Sequence, residues 1–367
     1  MFDDFVKDRA GLERICDRLR AERWIALDTE FVRERTYYAR LSLIQIATPH
    51  RIVCIDPLAV PNLDVLLDVI YAERLLKVLH SARQDLEVFH DLRGAPPAPV
   101  FDTQIAAALA GNDEQIGYGA LVQAVLCVKL AKLHTRTDWS ARPLSDDQLR
   151  YAEDDVRYLR DLYKYFEQKL AALGRREWLT EECGRLTQSE LYQNNPEQAH
   201  TRIKGGRALP PSGQNVMRAV ATWRERSAQA RDLPRNWVLR DAAIVELARQ
   251  LPQSREQLEQ INGLGRGTVK KWGEAILGAI AQGLAAPPAL VNGDSNRLDA
   301  EQTRLYRAMV DIVDQRAREL RISSALIATR RDLKALVRGE TNGPLRAGWR
   351  RQVVGDELVA MLANVGT

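Results

Sequence analysis

A chain of 367 residues, 45% hydrophobic and 28% charged, has room for two or three domains with a core in each, and it carries no apolar run of the roughly eighteen residues that a membrane-spanning helix requires. Residues 1–200 hold 26 basic and 32 acidic side chains and residues 201–367 hold 27 and 17, so an acidic half of net −6 precedes a basic half of net +10. The basic half attracts nucleic-acid phosphate whatever its sequence, whereas the acidic half repels phosphate unless cations sit among its carboxylates, which makes that half the place to look for metal ligands.

The opening MFDDFVKDRAGLERI has acids where a secretory signal has a basic end and an apolar stretch, so a cytoplasmic protein without membrane attachment is expected. WIALD (24–28), LSLIQIA (41–47), RIVCID (51–56) and LLKVLH (75–80) read as strands, and PPAPVFDT (96–103) contains a further short one. The first three follow one another too closely for helical crossovers and read as an antiparallel meander; later strand–helix alternation gives a mixed sheet with helices on its faces. From Pro143 to about Leu173 the spacing of Leu149, Val156, Leu159, Leu162, Tyr163, Phe166 and Leu170 predicts one long helix, with Ser145 as its N-cap ahead of Asp146 and Asp147. Residues 192–211 collect Asn, Gly and Pro and read as a linker. Beyond them, 218–284 and 304–363 echo each other as Arg-rich helix, short extended piece and further helices, a weak internal repeat with Pro287, Pro288, Asn292 and Gly293 between the copies. Cys16, Cys54, Cys127 and Cys183 stand far apart in apolar surroundings and are expected to be buried thiols, not a disulfide frame or a zinc site.

Three acidic clusters carry candidate chemistry. In ALDTEF, Asp28 and Glu30 share one face of the first strand because strand side chains alternate with period two. Asp85 follows the LLKVLH strand at the start of a helix, and Tyr151 and Asp155 lie four apart on one helix face. Singly, each has a bland explanation: strand-end polarity, a helix-start acid, an exposed aromatic with a solvated acid. Glu153 and Asp154 beside Asp155 complicate the choice of ligand, and helical geometry favours Asp155, since the residues one and two before it point roughly 100° and 200° away.

Taken in order, Asp-x-Glu on a first strand, Asp after a later strand and Tyr-x-x-x-Asp on a late helix resemble the DEDD exonuclease superfamily in its tyrosine-bearing subgroup. The flanks FVRERTYYARLSLIQIA (31–47), FDTQIAAALAG (101–111) and TDWSARPLSDDQLRYAEDDVRYL (137–159) look like the ribonuclease D family, as does NPEQAHTRIKG (195–205); VKLAKLHTR (128–136) departs from its pattern. The resemblance implies a ribonuclease H-like (DnaQ-like) mixed-sheet exonuclease domain over 1–191, a linker over 192–211, and two small helical helicase-and-ribonuclease-D C-terminal (HRDC) domains over 212–290 and 297–367. It implies 3′→5′ exoribonuclease action on tRNA precursors and other small structured RNAs with single-stranded 3′ ends; a monomer is the default expectation. It implies two divalent ions, Mg²⁺ or Mn²⁺, which suit an all-carboxylate site better than zinc does. Asp28 would bridge both, Glu30 and Asp155 would complete the ion that binds the attacking water, Asp85 would hold the second through its waters, and Tyr151 would orient the water. Thr29, Phe31 and His80 beside these acids are candidates for touching the terminal nucleotide, although Phe31 and His80 read equally well as core residues.

In the basic half, Arg218, Arg224, Arg226, Arg231, Arg235 and Arg240 surround Trp223 and Trp237, which suits phosphate holding and base stacking or, equally, a solvated helix face. NGLGRGTVKKW (262–272) offers glycines at a helix start followed by Lys270 and Lys271, a phosphate contact or a plain corner. The sequence contains no G-x-x-x-x-G-K-[ST] loop, which argues against an ATP-driven motor. The rivals are a DNA 3′→5′ exonuclease and a non-catalytic RNA-binding scaffold; the complete set of Asp28, Glu30, Asp85, Tyr151 and Asp155 speaks against the second.

Overall fold

A computed structural model describes residues 4–60, 62–131, 137–287 and 298–365; residues 132–136 of the divergent VKLAKLHTR stretch and the separators Pro288, Asn292 and Gly293 lie outside them. Six strands, β1 (Asp4–Val6), β2 (Trp24–Val32), β3 (Arg40–Ala47), β4 (Ile52–Ile55), β5 (Leu76–Leu79) and β6 (Val100–Asp102), form one sheet in the order β1-β4-β3-β2-β5-β6. β3 and β4 are antiparallel, while β1–β4, β2–β5 and β5–β6 are parallel, so the sheet is mixed. Ile25, Ala26 and Leu27 are all fully buried in β2, because a central strand covered on both faces cannot alternate between water and core. β1, which the sequence reading did not include, is a three-residue edge strand too short to show a period.

The helices of the first half are α1 (Arg9–Leu19), α2 (Asp64–Ile70), α3 (Arg83–Arg93), α4 (Thr103–Leu109), α5 (Tyr118–Leu126), α6 (Asp146–Arg157), α7 (Leu159–Ala172) and α8 (Arg176–Leu186). In α1, Leu12, Ile15, Cys16 and Leu19 form the buried stripe and Asp8 caps the start by accepting from the Gly11 amide. The single helix expected over 143–173 is two, divided at Tyr158. Cys127, expected to be buried, is exposed in the left-handed conformation that ends α5; Cys16, Cys54 and Cys183 are buried free thiols.

Two compact units emerge, 1–32 with 41–191 and 296–367, and 33–40 with 192–295. The second contains α9 (Pro211–Ala230), α10 (Arg235–Val238), α11 (Asp241–Gln250), α12 (Arg255–Glu259) and α13 (Arg266–Ala285). Gly283 is required where α13 meets α9, since a Cβ there would lie 2.6 Å from the Val216 Cα. Residues 192–211, expected as a linker, instead fold as short 3₁₀ turns that bury Ala199, Ile203 and Leu209 in this unit's core, so the polar composition marks turns and not free chain. Tyr37, from the 33–40 segment, joins that core and donates its phenol proton to the buried Glu225, which Arg235 also grips.

Residues 298–365 carry α14 (Ala300–Leu320), α15 (Ser324–Ile327), α16 (Arg330–Val337), α17 (Gly348–Arg350), a π turn and α18 (Asp356–Val365). A long helix, a four-residue helix and a shorter third one repeat the succession of α9, α10 and α11, which is the echo seen in the sequence. The sequence reading gave 297–367 a domain of its own; here Met309, Val313, Leu333 and Trp349 share a core with Leu159, Phe166 and Leu179 of the sheet-bearing unit. Trp349 stacks on Trp178 at 4.5 Å between ring centroids and donates its indole N–H to Glu182, whose carboxylate also holds Arg350. Gly348, at φ +62°, is required there because a Cβ would overlap the Glu181 carboxylate.

Candidate active site

The end of β2 carries Asp28 and Glu30 on the face that α6 covers, and the loop after β5 brings in Asp85. That loop is pinned by Asp102, whose carboxylate accepts from the amides of Ser81 (3.1 Å), Ala82 (2.8 Å) and Gln104 (2.8 Å), capping α4 and holding Ser81 at φ +56°. Asp85 then lies in the first turn of α3 and accepts from the Thr29 amide (3.1 Å) and hydroxyl (2.6 Å). α6 starts with a capping box between Ser145 and Gln148 and places Tyr151 and Asp155 one turn apart, the phenol donating to the Asp155 carboxylate. Glu153 and Asp154, the competing acids, both pair with Arg157, which leaves Asp155 facing β2.

Carboxylate oxygens of Asp28, Glu30 and Asp155 lie within 4.8 Å of one another. With Asp85 and Tyr151 they line a cavity of about 330 Å³. Burial, then the charges of Asp85, Asp155 and Glu30, hold the Asp28 carboxyl well above its ordinary range. Burial, then Asp155 and Asp85, push Glu30 up to about 8. Burial, then Asp154, pushes Asp155 up to about 7, and burial raises Asp85 to about 6 against the Thr29 hydrogen bonds. Acids packed this closely repel one another in a medium that screens poorly, and hard divalent cations relieve that cost by taking carboxylate oxygens as ligands; the donor set therefore fits them.

The candidate substrate contacts fare unevenly. Thr29 directs both its amide and its hydroxyl to Asp85. His80 uses both ring nitrogens within the fold, on the Thr103 hydroxyl (2.9 Å) and the Ile116 carbonyl (3.1 Å), and burial lowers its pKa. Phe31 stands half-buried at the cavity wall. Of the arginines around Trp223, Arg224 pairs with Asp241, Arg226 with Glu197 and Arg235 with Glu225, while Arg231 covers the ring of Trp272. Arg218, Arg240 and Trp237, which is 60% exposed, face water. Gly265 precedes α13 as its N-cap residue and supplies no side-chain cap, and Lys271 lies over the Trp272 ring.

Sequence reasoning missed Asp102, which Asp-Thr at a strand end could have signalled as an N-cap, and Tyr118, a cavity residue with no local signature. It also missed Arg142. The guanidinium forks onto Asp56 at 2.7 and 2.8 Å and donates to the Ser42 carbonyl, holding the Trp139–Leu144 segment whose Trp139 ring covers Tyr151 at 6.0 Å. Burial alone would raise the Asp56 carboxyl, yet the Arg142 hydrogen bonds and charge bring it below its usual range. A depressed carboxylate stabilises the fold above its unfolded pKa and loses that contribution as pH falls through the folded value. Arg142→Ala is therefore expected to cost about 3 kcal/mol at pH 7, the low end for an orphaned buried partner because Arg142 is 26% exposed, and to flatten the acid limb of the stability curve. Urea unfolding from pH 7 down to pH 3 checks both.

A family profile described as 3′-5′ exonuclease matches residues 4–171, the span that holds this mixed sheet and its acidic strand end, and an HRDC domain profile matches residues 213–280. Ribonuclease D of Nitrobacter hamburgensis is 37% identical over 366 residues, covering 98% of this chain and 94% of that protein, and ribonuclease D of Pseudomonas paraeruginosa is 35% identical, covering 98% and 97%. The crystal structure of Escherichia coli RNase D, an exoribonuclease involved in structured RNA processing, superposes with a TM-score of 0.88 at 30% identity and covers 98% of each chain. The chain belongs to the ribonuclease D family, and its activity is 3′→5′ exoribonuclease hydrolysis with divalent metal. Among the described residues no helix is long and apolar enough to cross a membrane.

Proposed function

We propose that Asp28, Glu30, Asp85 and Asp155 hold two divalent ions, Mg²⁺ or Mn²⁺, and that Tyr151 orients the attacking water during removal of mononucleotides from RNA 3′ ends. The observation that carries the assignment is the convergence of three carboxylates from β2 and α6 within 4.8 Å, with Asp85 beside them on Thr29. Such ions, when bound, supply a hydroxide at neutral pH and neutralise charge on the attacking and leaving oxygens. This chain's own groups do the rest. Thr29 fixes the Asp85 carboxylate by two hydrogen bonds, and Arg157 draws Glu153 and Asp154 away from the cavity. The Tyr151 phenol is held protonated by burial and by the surrounding acids, so it can hold a water but is a poor base.

Tyr151→Phe is accordingly expected to lower kcat by about 10- to 100-fold, the range for a residue that positions a metal-site group. A loss as large as that of Asp155→Asn would instead assign Tyr151 a proton-transfer role. The reading as a whole is tested with 5′-labelled single-stranded RNA, Mg²⁺ or Mn²⁺, and EDTA. A ladder shortening from the 3′ end with mononucleotide release, abolished by the chelator, supports it; internal cleavage or activity in EDTA refutes it.

The substrates proposed are tRNA precursors and other small structured RNAs with single-stranded 3′ ends, acted on by a monomer in the cytoplasm. Residues 213–280 and, as a second HRDC-like module, 298–365 would contribute the basic surface, with Trp237 as a stacking platform. Matched RNA and DNA single strands separate this from a DNA exonuclease.

A further inference from the structure

The break between α6 and α7 has a visible agent. Residues 154 and 158 are the i, i+4 pair whose carbonyl and amide bond each other in an unbroken helix. Here the Tyr118 phenol stands between them: its O–H donates to the Asp154 carbonyl at 2.7 Å, and its oxygen accepts from the Tyr158 amide. α6 ends at Arg157, Tyr158 sits at φ −85° and ψ −13°, and α7 resumes at Leu159. A side chain inserted into the amide–carbonyl ladder is a recognised cause of helix bending. The insertion is itself held in place. Tyr118 opens α5, and its ring lies 5.6 Å from the imidazole of His80, which Thr103 and the Ile116 carbonyl lock.

Asp155 lies inside the interrupted turn, next to the carbonyl that Tyr118 grips. Above the break α6 packs over β2 and β4, below it α7 packs over β2 and β5, and Val156 and Leu159 on either side are buried. The course of the chain through Tyr158 thus bears on where the Asp155 carboxylate falls relative to Asp28 and Glu30. We propose that Tyr118 is a positioning residue for Asp155, keeping α6 bent by substituting its phenol for one backbone hydrogen bond so that the three carboxylates converge on a divalent ion. The proposal rests on reading Asp155 as a ligand for that ion.

Its energetic signature differs from that of a packing residue. Tyr118→Phe removes two hydrogen bonds but leaves an amide and a carbonyl that can bond each other directly, so no buried polar group is orphaned and stability changes little. What changes is the local path of the helix, and with it the metal site.

The test uses the full chain as wild type, Tyr118→Phe and Asp155→Asn. It reads Mn²⁺ affinity by electron paramagnetic resonance of the free ion, kcat and KM on a labelled RNA oligonucleotide, RNA affinity in EDTA, and thermal unfolding. The expected result for Tyr118→Phe is Mn²⁺ affinity and kcat each lower by about tenfold or more, with the melting temperature and the metal-free RNA affinity near wild type. Wild-type Mn²⁺ affinity overturns the proposal, whether kcat is unchanged, falls together with the melting temperature (a packing role), or is kept while KM rises (a substrate contact). If Tyr118→Phe does not fold, Tyr118→His, which keeps a ring donor of smaller reach, is measured in the same way, and wild-type Mn²⁺ affinity in it overturns the proposal equally. Asp155→Asn with wild-type turnover sinks the site reading and this inference with it, whereas an inactive Asp155→Asn beside an unaffected Tyr118→Phe sinks this inference alone.

Discussion

Asp28→Asn or Asp155→Asn is expected to lower turnover on single-stranded RNA by about three orders of magnitude or more. Metal-assisted stabilisation of the transition state is worth several kcal/mol, and each 1.36 kcal/mol is about a factor of ten in rate. Asparagine keeps the shape of the side chain and removes the charge that a hard cation requires, so the loss falls on chemistry and not on packing. RNA affinity measured in EDTA should stay nearly intact, because attraction for phosphate resides in the basic residues 201–367 and not in the acids of the sheet. Single-turnover rates at saturating Mg²⁺, set beside filter-binding titrations in EDTA, separate the two quantities; wild-type rates in both variants would remove the site assignment.

The same Asp28→Asn substitution should make the metal-free protein more stable, by about 0.5–2 kcal/mol, the usual gain when a functional site's built-in cost is relieved. Asp28 is a half-buried acid facing Asp85, Asp155 and Glu30, and both its desolvation and their charges oppose its ionisation. Removing one member of the cluster lessens that repulsion. Divalent cations relieve it in the wild type by a different route, so Mn²⁺ should raise the wild-type melting temperature and EDTA should reverse the gain. In Asp28→Asn the Mn²⁺ increment should shrink. Melting curves of both proteins with and without Mn²⁺ measure all four states, and a less stable metal-free Asp28→Asn would show that Asp28 has a structural partner outranking the repulsion.

How much of this could be read before the structure depends on how local each cause is. The period of two in ALDTEF put Asp28 and Glu30 on one face, and the four-residue spacing of Tyr151 and Asp155 put them on one side of α6; both survive folding because they are properties of a strand and a helix taken alone. The rejection of Glu153 and Asp154 also followed from helical angle, and the structure adds the agent, Arg157, that holds them. Where residues distant in sequence act on one another, local reading failed. The apolar spacing from Leu149 to Leu170 runs on through Tyr158 as though the helix were continuous, and the phenol that takes the Asp154 carbonyl there arrives from residue 118. The Asn, Gly and Pro of 192–211 looked like free chain because turns wrapped around a core have the composition of linkers.

Composition, spacing and the order of motifs by themselves determined the acidic and basic halves, the mixed-sheet class, the identity of the metal-binding acids as candidates and the repeat of helices in the second half, because each is written in residues that are near neighbours or in simple sums over the chain. Tertiary structure decided the rest. It brought β2, α3 and α6 together at one cavity, divided α6 from α7 at Tyr158, engaged His80 and Thr29 in hydrogen bonds within the fold, and joined residues 298–365 to the core of the sheet-bearing unit. The physical reason is that convergence depends on contacts between residues 50 to 200 positions apart, whose geometry is set by the shared burial of apolar faces and by polar groups that must find partners once water has left.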